Sequence, residues 1–370
     1  MSRSLLSMFN RPHPPTSSPL GEGEIIVACW QSPSNIAFVK YWGKKEGQLP
    51  LNPSIGMTLN QSYTITSVEA EFTKGTGGRI ISVNGEVQHP FLTKLEKLVK
   101  WLVQEIPVLG NLSFRVETSN SFPHSTGIAS SASGISAFTL CLLSIAEKAN
   151  GEEIPLMDFM KTASFVSRMG SGSACRSVFG GYTLWGKTPV VRGSSDLFAI
   201  PVTELVHPSL RTLHDTILVV SSTPKSLPSS QGHTLMEIHP FGPARIRQAR
   251  NTVIELMEAL TQGDLNRLAE LTEFEALTLH ALIMSSPGGM ILMEPQTVQI
   301  IKQIHAARQK GLAAFFTLDA GPNVHLMYPE PAAPEVENFI RKELMPLCEN
   351  GVIIYDQCGT GPVRTKMEKH

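Results

Sequence analysis

The most constraining feature of the sequence is the segment 121–149, which reads SFPHSTGIASSASGISAFTLCLLSIAEKA. Small residues dominate its first half, and apolar residues dominate its second half. This order predicts a Gly/Ser loop that leads into a helix. Because that helix is apolar on all sides, it has to be buried, and the rest of the chain must supply a core around it.

The composition provides enough apolar material for such a core. The chain has 370 residues, of which 42% are hydrophobic, and this excludes disorder for most of its length. Length alone favours about two to three domains or one large two-lobed unit. The formal net charge of −1 leaves no basic field that would hold nucleic acid or an anionic membrane, so an anionic ligand needs a local site. No uncharged apolar run reaches the roughly eighteen residues of a membrane helix.

The cysteines are scattered and form no CxxC pair. Their odd number and wide spacing indicate reduced thiols, which are typical of a cytoplasmic protein. The five are Cys29, Cys141, Cys175, Cys348 and Cys358.

Residues 1–23 are rich in Pro, Ser and Gly and predict a flexible N-terminal arm. Arg3 and Arg11 precede the first acid, Glu22, which is a weak sign of a transit peptide. The prolines within 12–19 argue against an amphipathic targeting helix.

The pattern of apolar residues predicts an α+β chain with a strand-rich lobe over 24–200 and a helix-rich lobe over 201–370. Predicted strands are 25–30, 64–72, 79–83, 112–118, 180–187, 215–222, 313–318 and 351–357. Predicted helices are 91–106, the apolar part of 121–149, 155–169, 241–262, 264–284, 295–310 and 335–347. The pair Asn84-Gly85 after a strand predicts a hairpin turn.

The first candidate motif is the loop from Pro123 to Ala132, PHSTGIASSA. Its small residues allow backbone amides to approach an anion, and the positive end of the following helix favours phosphate. Ser130 and Ser131 offer hydroxyls to phosphate oxygens or to a magnesium ion. Tight helix packing by small residues is the alternative, and the segment is not a Walker A motif.

The second candidate motif is GSGSACRS at 170–177, which reads as another flexible loop. An arginine among small residues, Arg176, suggests a bidentate grip on a carboxylate or phosphate. A surface arginine that caps a turn is the alternative. Cys175 has no basic partner nearby in sequence, so a structural thiol is the better interpretation.

The third candidate is Asp319, which ends the apolar strand AAFFTL and begins DAGPN. A carboxylate at a strand end among apolar neighbours is a candidate catalytic base. The alternative is an aspartate that opens a β-turn, where Asp, Gly, Pro and Asn are all common.

The fourth candidate is the segment 34–44, in which Lys40 and Lys44 flank the pair Tyr41-Trp42. Two lysines four residues apart are able to meet a polyanion. The alternative is an amphipathic edge with lysines that extend toward solvent.

In this order along the chain, these segments resemble the diphosphomevalonate decarboxylase family, a branch of the galactokinase, homoserine kinase, mevalonate kinase and phosphomevalonate kinase (GHMP) superfamily. The resemblance covers about residues 24–362 and is carried by the segments 32–44, 120–134, 170–182, 229–232, 317–326 and 358–362. It implies a two-lobed fold with the active site in the cleft between the lobes. It also implies that the later helices pack on an antiparallel sheet that includes 215–221, 313–318 and 323–328.

The resemblance further implies an ATP- and Mg²⁺-dependent enzyme of isoprenoid biosynthesis, commonly a homodimer, with no dedicated metal cluster in the sequence. The implied reaction converts mevalonate 5-diphosphate to isopentenyl diphosphate, ADP, phosphate and carbon dioxide. The implied catalytic residues are Asp319 beside the C3 hydroxyl, Lys40 near the transferring phosphate or Asp319, and Arg176 on the substrate carboxylate. The implied substrate-binding residues are Tyr41, Trp42, Lys44, Lys94, Ser171, Ser173, Arg176, Ser229 and Ser230. The implied nucleotide-binding residues are Asn120, Pro123, Gly127, Ala129, Ser130 and Ser131.

Other functions remain open from the sequence. Lys94 stands nearest to the position where the family has an arginine for the diphosphate, and a lysine lacks the bidentate geometry. A phosphomevalonate decarboxylase is therefore an alternative. A kinase of the same fold that stops at phosphorylation is a further alternative, which the cationic contacts for the diphosphate and the carboxylate grip disfavour. A catalytically inactive metabolite sensor is another, although Asp319 and the loop core 127–131 are both intact.

Overall fold

The computed structural model describes residues 5–9, 23–73, 75, 77–89, 91–123, 128, 130–151, 153–223 and 229–369, with no side-chain description for 229–231. In this part of the chain the strands form two sheets, one built mainly from the first half of the sequence and joined by the last strand of the chain, the other from the second half, and helices pack around and between them. The predicted α+β class is confirmed.

The N-terminal sheet is built around two long antiparallel strands. Its strands are β1 (Ile25–Val39), β2 (Ser54–Phe72), β3 (Arg79–Val83), β4 (Leu112–Asn120), β5 (Tyr182–Trp185), β6 (Ala199–Pro201) and β11 (Val363–Lys369). The main order is β11-β1-β2-β4-β3, with β5 on the first part of β2 and β6 beside β5. Alternating burial marks only the first part of β1, and its later residues are buried on both faces. Alternation therefore predicted only the outer part of this strand.

Three helices cover the N-terminal sheet: α1 (Leu92–Glu105), α2 (Ser130–Asn150) and α3 (Leu156–Gly170). α2 is the predicted buried helix and packs on β1 and β2. Within the described residues it is also the one helix long and apolar enough to cross a membrane, but 83% of its apolar window is buried inside the protein. It is therefore the core helix of this lobe.

Part of the predicted flexible arm is packed against this lobe. Leu6 and Phe9 are buried in its core, and the Asn150 side chain donates a hydrogen bond of 2.7 Å to the Phe9 carbonyl. The prediction of a flexible arm is wrong for residues 5–9, because their apolar side chains find a place in the core. Residues 10–22 lie outside the described part of the chain.

The C-terminal sheet is antiparallel, with the order β10-β7-β9-β8. Its strands are β7 (His214–Leu218), β8 (Phe315–Leu318), β9 (Val324–Tyr328) and β10 (Ile353–Gln357). The helices of this half are α4 (Ser229–Ile238), α5 (Gly242–Gln262), α6 (Leu265–Met284), α7 (Pro295–Gln309) and α8 (Ala333–Phe339). α5 and α6 also contact β1, and one buried apolar cluster joins residues of both sheets.

Two local predictions needed correction. Asn84 and Gly85 do form a tight turn at φ 51° and 75°, but beyond it the chain makes only the single bridge Val83–Glu86. β3 instead pairs in parallel with β4. The predicted helix 335–347 is α-helical only as far as Phe339, the last residue of α8. The chain then continues as a π-helical turn and a 3-10 turn, and Pro346 in the 3-10 turn cannot supply a backbone N–H.

A buried carboxylate on β10 fixes the two sheets relative to each other. Asp356 accepts hydrogen bonds from the backbone N–H groups of Asn60, Gln61 and Ser62 on β2, at 2.8, 2.8 and 2.7 Å. Three amide donors on one carboxylate make a strong contact between a C-terminal and an N-terminal strand. This contact fixes the position of one sheet relative to the other.

Candidate active site

A cavity of about 420 Å³ opens between the two halves of the chain. Its size is typical of a small-molecule site. Ten of the residues predicted from sequence line it: Lys40, Tyr41, Trp42, Lys44, Lys94, Ser131, Ser171, Ser173, Arg176 and Asp319. The fold therefore brings together side chains from five separate segments of the sequence.

Lys40 and Asp319 form an ion pair across the cleft. Lys40 follows β1 and Asp319 follows β8, and the Lys40 Nζ lies 3.4 Å from Asp319 Oδ1. Nζ also donates to the Ala37 carbonyl at 2.6 Å. Burial lowers the pKa of Lys40, and the nearby Asp319 carboxylate opposes that shift. The Asp319 side chain keeps 28% exposure, so the carboxylate is accessible from the cavity.

The backbone of both residues is anchored by one helix, α6. Glu275 Oε2 accepts a hydrogen bond of 3.1 Å from the Lys40 backbone N–H, and Arg245 holds the same carboxylate through two bonds of 2.7 and 2.8 Å. Farther along α6, His280 Nε2 donates to the Asp319 carbonyl at 3.0 Å. These contacts are buried, so α6 helps to set the separation between the ammonium and the carboxylate.

Arg176 is held with part of its guanidinium toward the cavity. Its Nε donates to Asn35 Oδ1 at 3.1 Å and its Nη1 donates to Ser54 Oγ at 2.8 Å. Among the described residues Nη2 has no protein partner, and Arg176 lines the cavity while only 3% exposed. The alternative of a surface arginine is therefore wrong. A planar group held through two of its nitrogens keeps further N–H donors for a carboxylate or phosphate in the cavity.

The segment that carries Arg176 is not a flexible loop. Gly172–Val178 forms a buried 3-10 turn, because its small residues pack closely against neighbouring chain. A Cβ on Gly172 would lie 2.5 Å from the Tyr41 ring. Cys175 is buried here, and burial raises the pKa of its thiol to about 12, which fits the predicted structural role. All five cysteines are free thiols.

A second group of polar side chains also lines the cavity. Lys44 Nζ donates to Gln48 Oε1 at 3.0 Å, and the Tyr41 hydroxyl donates to the Gln48 carbonyl at 3.2 Å. Lys94 Nζ donates to the Ser131 hydroxyl. Burial and the charge of Lys44 both lower the pKa of Lys94. An anion bound between these lysines would relieve that repulsion.

The candidate nucleotide residues are only partly described. Ser131 lines the cavity at the start of α2, whereas Ser130, Asn120 and Pro123 do not line it. The Asn120 side chain accepts a hydrogen bond of 2.7 Å from Thr64. Gly127 and Ala129, and the side chains of Ser229 and Ser230, lie outside the described residues.

Comparison with known proteins settles the family. The Diphosphomevalonate decarboxylase-like N-terminal domain matches residues 32–196, and the Mevalonate 5-diphosphate decarboxylase C-terminal domain matches residues 216–366. The diphosphomevalonate decarboxylase of Candida albicans is 32% identical over 325 residues, which are 84% of this chain and 86% of that protein. The chain belongs to the diphosphomevalonate decarboxylase family. The Debaryomyces hansenii member is 32% identical over 335 residues, 86% of this chain and 83% of that protein.

Solved structures of the diphosphomevalonate decarboxylase family share the fold of this chain. The Staphylococcus aureus mevalonate diphosphate decarboxylase superposes with a TM-score of 0.78 at 27% identity, over 92% of this chain and 98% of that one. The Enterococcus faecalis enzyme gives a TM-score of 0.75 at 26% identity, over 92% and 99%. The family resemblance and the GHMP-type fold predicted from sequence are confirmed.

Several residues around the active site were not predicted from sequence. Asn35 lies inside the quoted segment 34–44, so that segment was the available signal. Gln48 and His233 line the cavity but belong to no pattern that marks a site. Glu275 and His280 sit in a helix that was predicted for its apolar face alone, and only tertiary contacts reveal their partners.

The stability of the protein should depend on pH because two of its histidines are buried. Burial lowers the pKa of His233 and of His280 to about 4, against 6.5 for the unfolded chain, so both are neutral in the folded protein at pH 7. Below pH 6.5 the unfolded state binds more protons. The free energy of unfolding should therefore fall from pH 6.5 toward 4, by up to about 1.4 kcal/mol per pH unit for each histidine.

Urea unfolding of the wild-type chain and of His280→Gln between pH 7 and 4 measures this effect. The variant loses one of the two contributions, so the stability difference between the proteins should shrink as the pH falls. Two curves that stay parallel over the whole range would show that His280 does not titrate with a lowered pKa.

Proposed function

We propose that this chain catalyses the ATP-dependent decarboxylation of mevalonate 5-diphosphate to isopentenyl diphosphate, with ADP, phosphate and carbon dioxide as the other products. The observation that carries the proposal is the convergence of three features in one cavity. These are the Lys40–Asp319 pair, the cavity-lining guanidinium of Arg176, and the lysines Lys44 and Lys94. One similar solved structure is described as a complex with MVAPP, AMPPCP and magnesium.

The reaction explains why those groups are needed together. The C3 hydroxyl of the substrate is tertiary and is a poor leaving group. Transfer of the γ-phosphoryl group of ATP converts it into a phosphate ester. The C1–C2 bond then breaks and its electron pair becomes the new C2=C3 double bond, as C1 leaves as carbon dioxide and phosphate leaves C3. Positive charge develops at C3 on the way.

The ion pair is assigned to the phosphoryl-transfer step. Asp319 orients the C3 hydroxyl and accepts its proton, because its carboxylate is accessible from the cavity. Lys40 stands beside that carboxylate and balances charge as the phosphoryl group approaches. Because α6 anchors the backbone of both residues, it supports a fixed distance between the Lys40 ammonium and the Asp319 carboxylate.

Arg176 is assigned to the substrate carboxylate. Two parallel hydrogen bonds from its cavity-facing edge would hold the carboxylate until carbon dioxide leaves. Ser173 lies beside it in the same 3-10 turn, and Ser171 lines the cavity next to that turn. Both hydroxyls are assigned to the same part of the substrate.

The diphosphate is assigned to the part of the cavity that Lys44, Lys94 and Tyr41 line. Lys44 and Lys94 supply charge there, and Tyr41 supplies a hydroxyl whose pKa is raised by burial, so it stays protonated and able to donate. Trp42 packs in an apolar cluster with Met236 and forms a wall. Ser229 and Ser230 begin α4 and complete the assignment with two hydroxyls.

ATP is assigned to the loop before α2, with Ser130 and Ser131 nearest its phosphates, Gly127 and Ala129 in the loop backbone, Pro123 at its start and Asn120 toward the base. The residues present fit Mg²⁺, which prefers oxygen ligands and keeps several from phosphates and water. The Ser131 hydroxyl, which lines the cavity at the start of α2, is an oxygen donor that would face it. Within the described residues, no cluster of three His, Cys, Asp or Glu side chains is able to hold a metal. When bound, Mg²⁺ would neutralise part of the negative charge of the ATP phosphates.

Three properties remain predictions from the family resemblance and the sequence pattern. They are the division into lobes at 24–200 and 201–370, a homodimeric assembly, and a cytoplasmic location.

The test is a reaction of the purified protein with Mg·ATP and either mevalonate 5-diphosphate or mevalonate 5-phosphate, followed by identification of the products. We expect isopentenyl diphosphate from the diphosphate. Turnover of the monophosphate alone would make the chain a phosphomevalonate decarboxylase, which the lysine at position 94 favours as the second candidate. ADP with a phosphorylated mevalonate and no alkene would make it a kinase.

A further inference from the structure

We infer that His233 is a further substrate-binding residue, and that its Nε2–H donates a hydrogen bond to the phosphate end of the substrate. The inference deepens the proposed function and rests on it for the identity of the substrate. His233 lies on α4 and lines the cavity.

The position of the proton follows from one backbone contact. The Gly43 N–H donates to His233 Nδ1 at 3.0 Å, so Nδ1 acts as an acceptor and carries no proton. A neutral imidazole then has its proton on Nε2. The ring is neutral at pH 7, because burial and the positive charge of Lys44 lower its pKa to about 4.

The direction of the imidazole is fixed by packing. The ring contacts the Tyr41 and Trp42 rings, with centroids at 4.4 and 5.7 Å. Gly232 permits this approach, since a Cβ there would lie 2.2 Å from the Trp42 ring. In the part of the chain that the structure describes, no protein group accepts a hydrogen bond from Nε2. A donor without a protein acceptor, on a residue that lines a cavity, points to an acceptor on the ligand.

The neighbouring charge indicates which part of the ligand supplies that acceptor. Lys44 is the charged group that acts on His233, and Lys44 also acts on Lys94. The lysines therefore define the end of the cavity where an anion is favoured. A phosphate oxygen satisfies a lysine and the imidazole N–H together. A neutral donor adds this contact without adding a third positive charge to the group.

Two substitutions separate the donor from the backbone contact. His233→Asn keeps an oxygen near the Nδ1 position for the Gly43 N–H but removes the donor at Nε2. His233→Gln places an amide nitrogen near Nε2. We expect His233→Asn to raise KM for mevalonate 5-diphosphate by about ten-fold and to leave KM for ATP unchanged, because one hydrogen bond to a charged group is lost. His233→Gln should recover most of that loss.

The control is His207→Asn, since His207 is exposed and lies outside the cavity. An unchanged KM in His233→Asn would overturn the inference. A lower melting temperature and a lower kcat with no change in KM would overturn it as well, because they would assign His233 to a purely structural role.

A binding measurement keeps this test separate from the proposed function. Calorimetric titration with inorganic pyrophosphate needs no turnover, and we expect its affinity to fall by about ten-fold in His233→Asn. Equal affinity in the wild type and the variant would contradict the inference. A wild-type protein that binds pyrophosphate through His233 but does not turn over mevalonate 5-diphosphate would contradict only the proposed function.

Discussion

Asp319→Asn is expected to lower kcat by about a thousand-fold, which is within the usual contribution of a positioned acid or base. The amide fills nearly the same space as the carboxylate but cannot accept the C3 hydroxyl proton. KM for mevalonate 5-diphosphate should change little, because Arg176, Lys44 and Lys94 still bind the substrate. Initial rates of ADP release over a range of substrate concentrations measure both constants.

The control for this substitution is Asp264→Asn. Asp264 caps the start of α6 at an exposed position, and asparagine is an equally good cap, so the same chemical change there should leave kcat unaltered. A kcat for Asp319→Asn within a few-fold of the wild type would show that Asp319 is not the base. Asp319 would then have only a structural role, as the residue that begins the turn after β8.

Arg176→Lys is expected to lower kcat/KM by about a hundred-fold although the positive charge is kept. Lysine cannot form two parallel hydrogen bonds with a carboxylate, and charged hydrogen bonds contribute about 1.5–3 kcal/mol each. The change also removes the contacts of Arg176 with Asn35 and Ser54. Melting temperatures of wild type and variant are needed to separate lost binding from lost stability.

An inhibitor comparison isolates the carboxylate contact. A substrate analogue that lacks the carboxylate should bind more weakly than the acid to the wild-type enzyme, and this difference should largely disappear in Arg176→Lys. The exposed Arg267, replaced by lysine, serves as the matched control. If Arg176→Lys discriminates between acid and analogue as well as the wild type does, the bidentate grip is not made.

The candidate site was predicted best where chemistry depends on residues that are close in sequence. Segment 34–44 identified Lys40, Tyr41 and Lys44, and segment 170–177 identified Arg176, although the second was expected to be flexible. Its burial was not predicted, because Gly and Ser serve both mobile loops and close packing. Which meaning applies depends on neighbours such as the Tyr41 ring, which sequence spacing does not show.

Contacts between distant segments could not be derived from local pattern. Lys40 and Asp319 are 279 positions apart, and only the family resemblance placed both at one site. The anchoring of both by α6 depends on Glu275 and His280, which look like ordinary residues of an amphipathic helix. The fold shows the same division. The helices over 241–309 follow from periodicity, whereas the inner half of β1 is buried on both faces and gives no alternation.

The most direct test of the proposed activity is the stoichiometry of one reaction. Wild-type protein is incubated with Mg·ATP and mevalonate 5-diphosphate labelled at the C1 carboxylate, and ADP and labelled carbon dioxide are counted together. The proposed mechanism predicts one carbon dioxide for each ADP at every time point. ADP without carbon dioxide would contradict it, because the chain would then phosphorylate its substrate and stop.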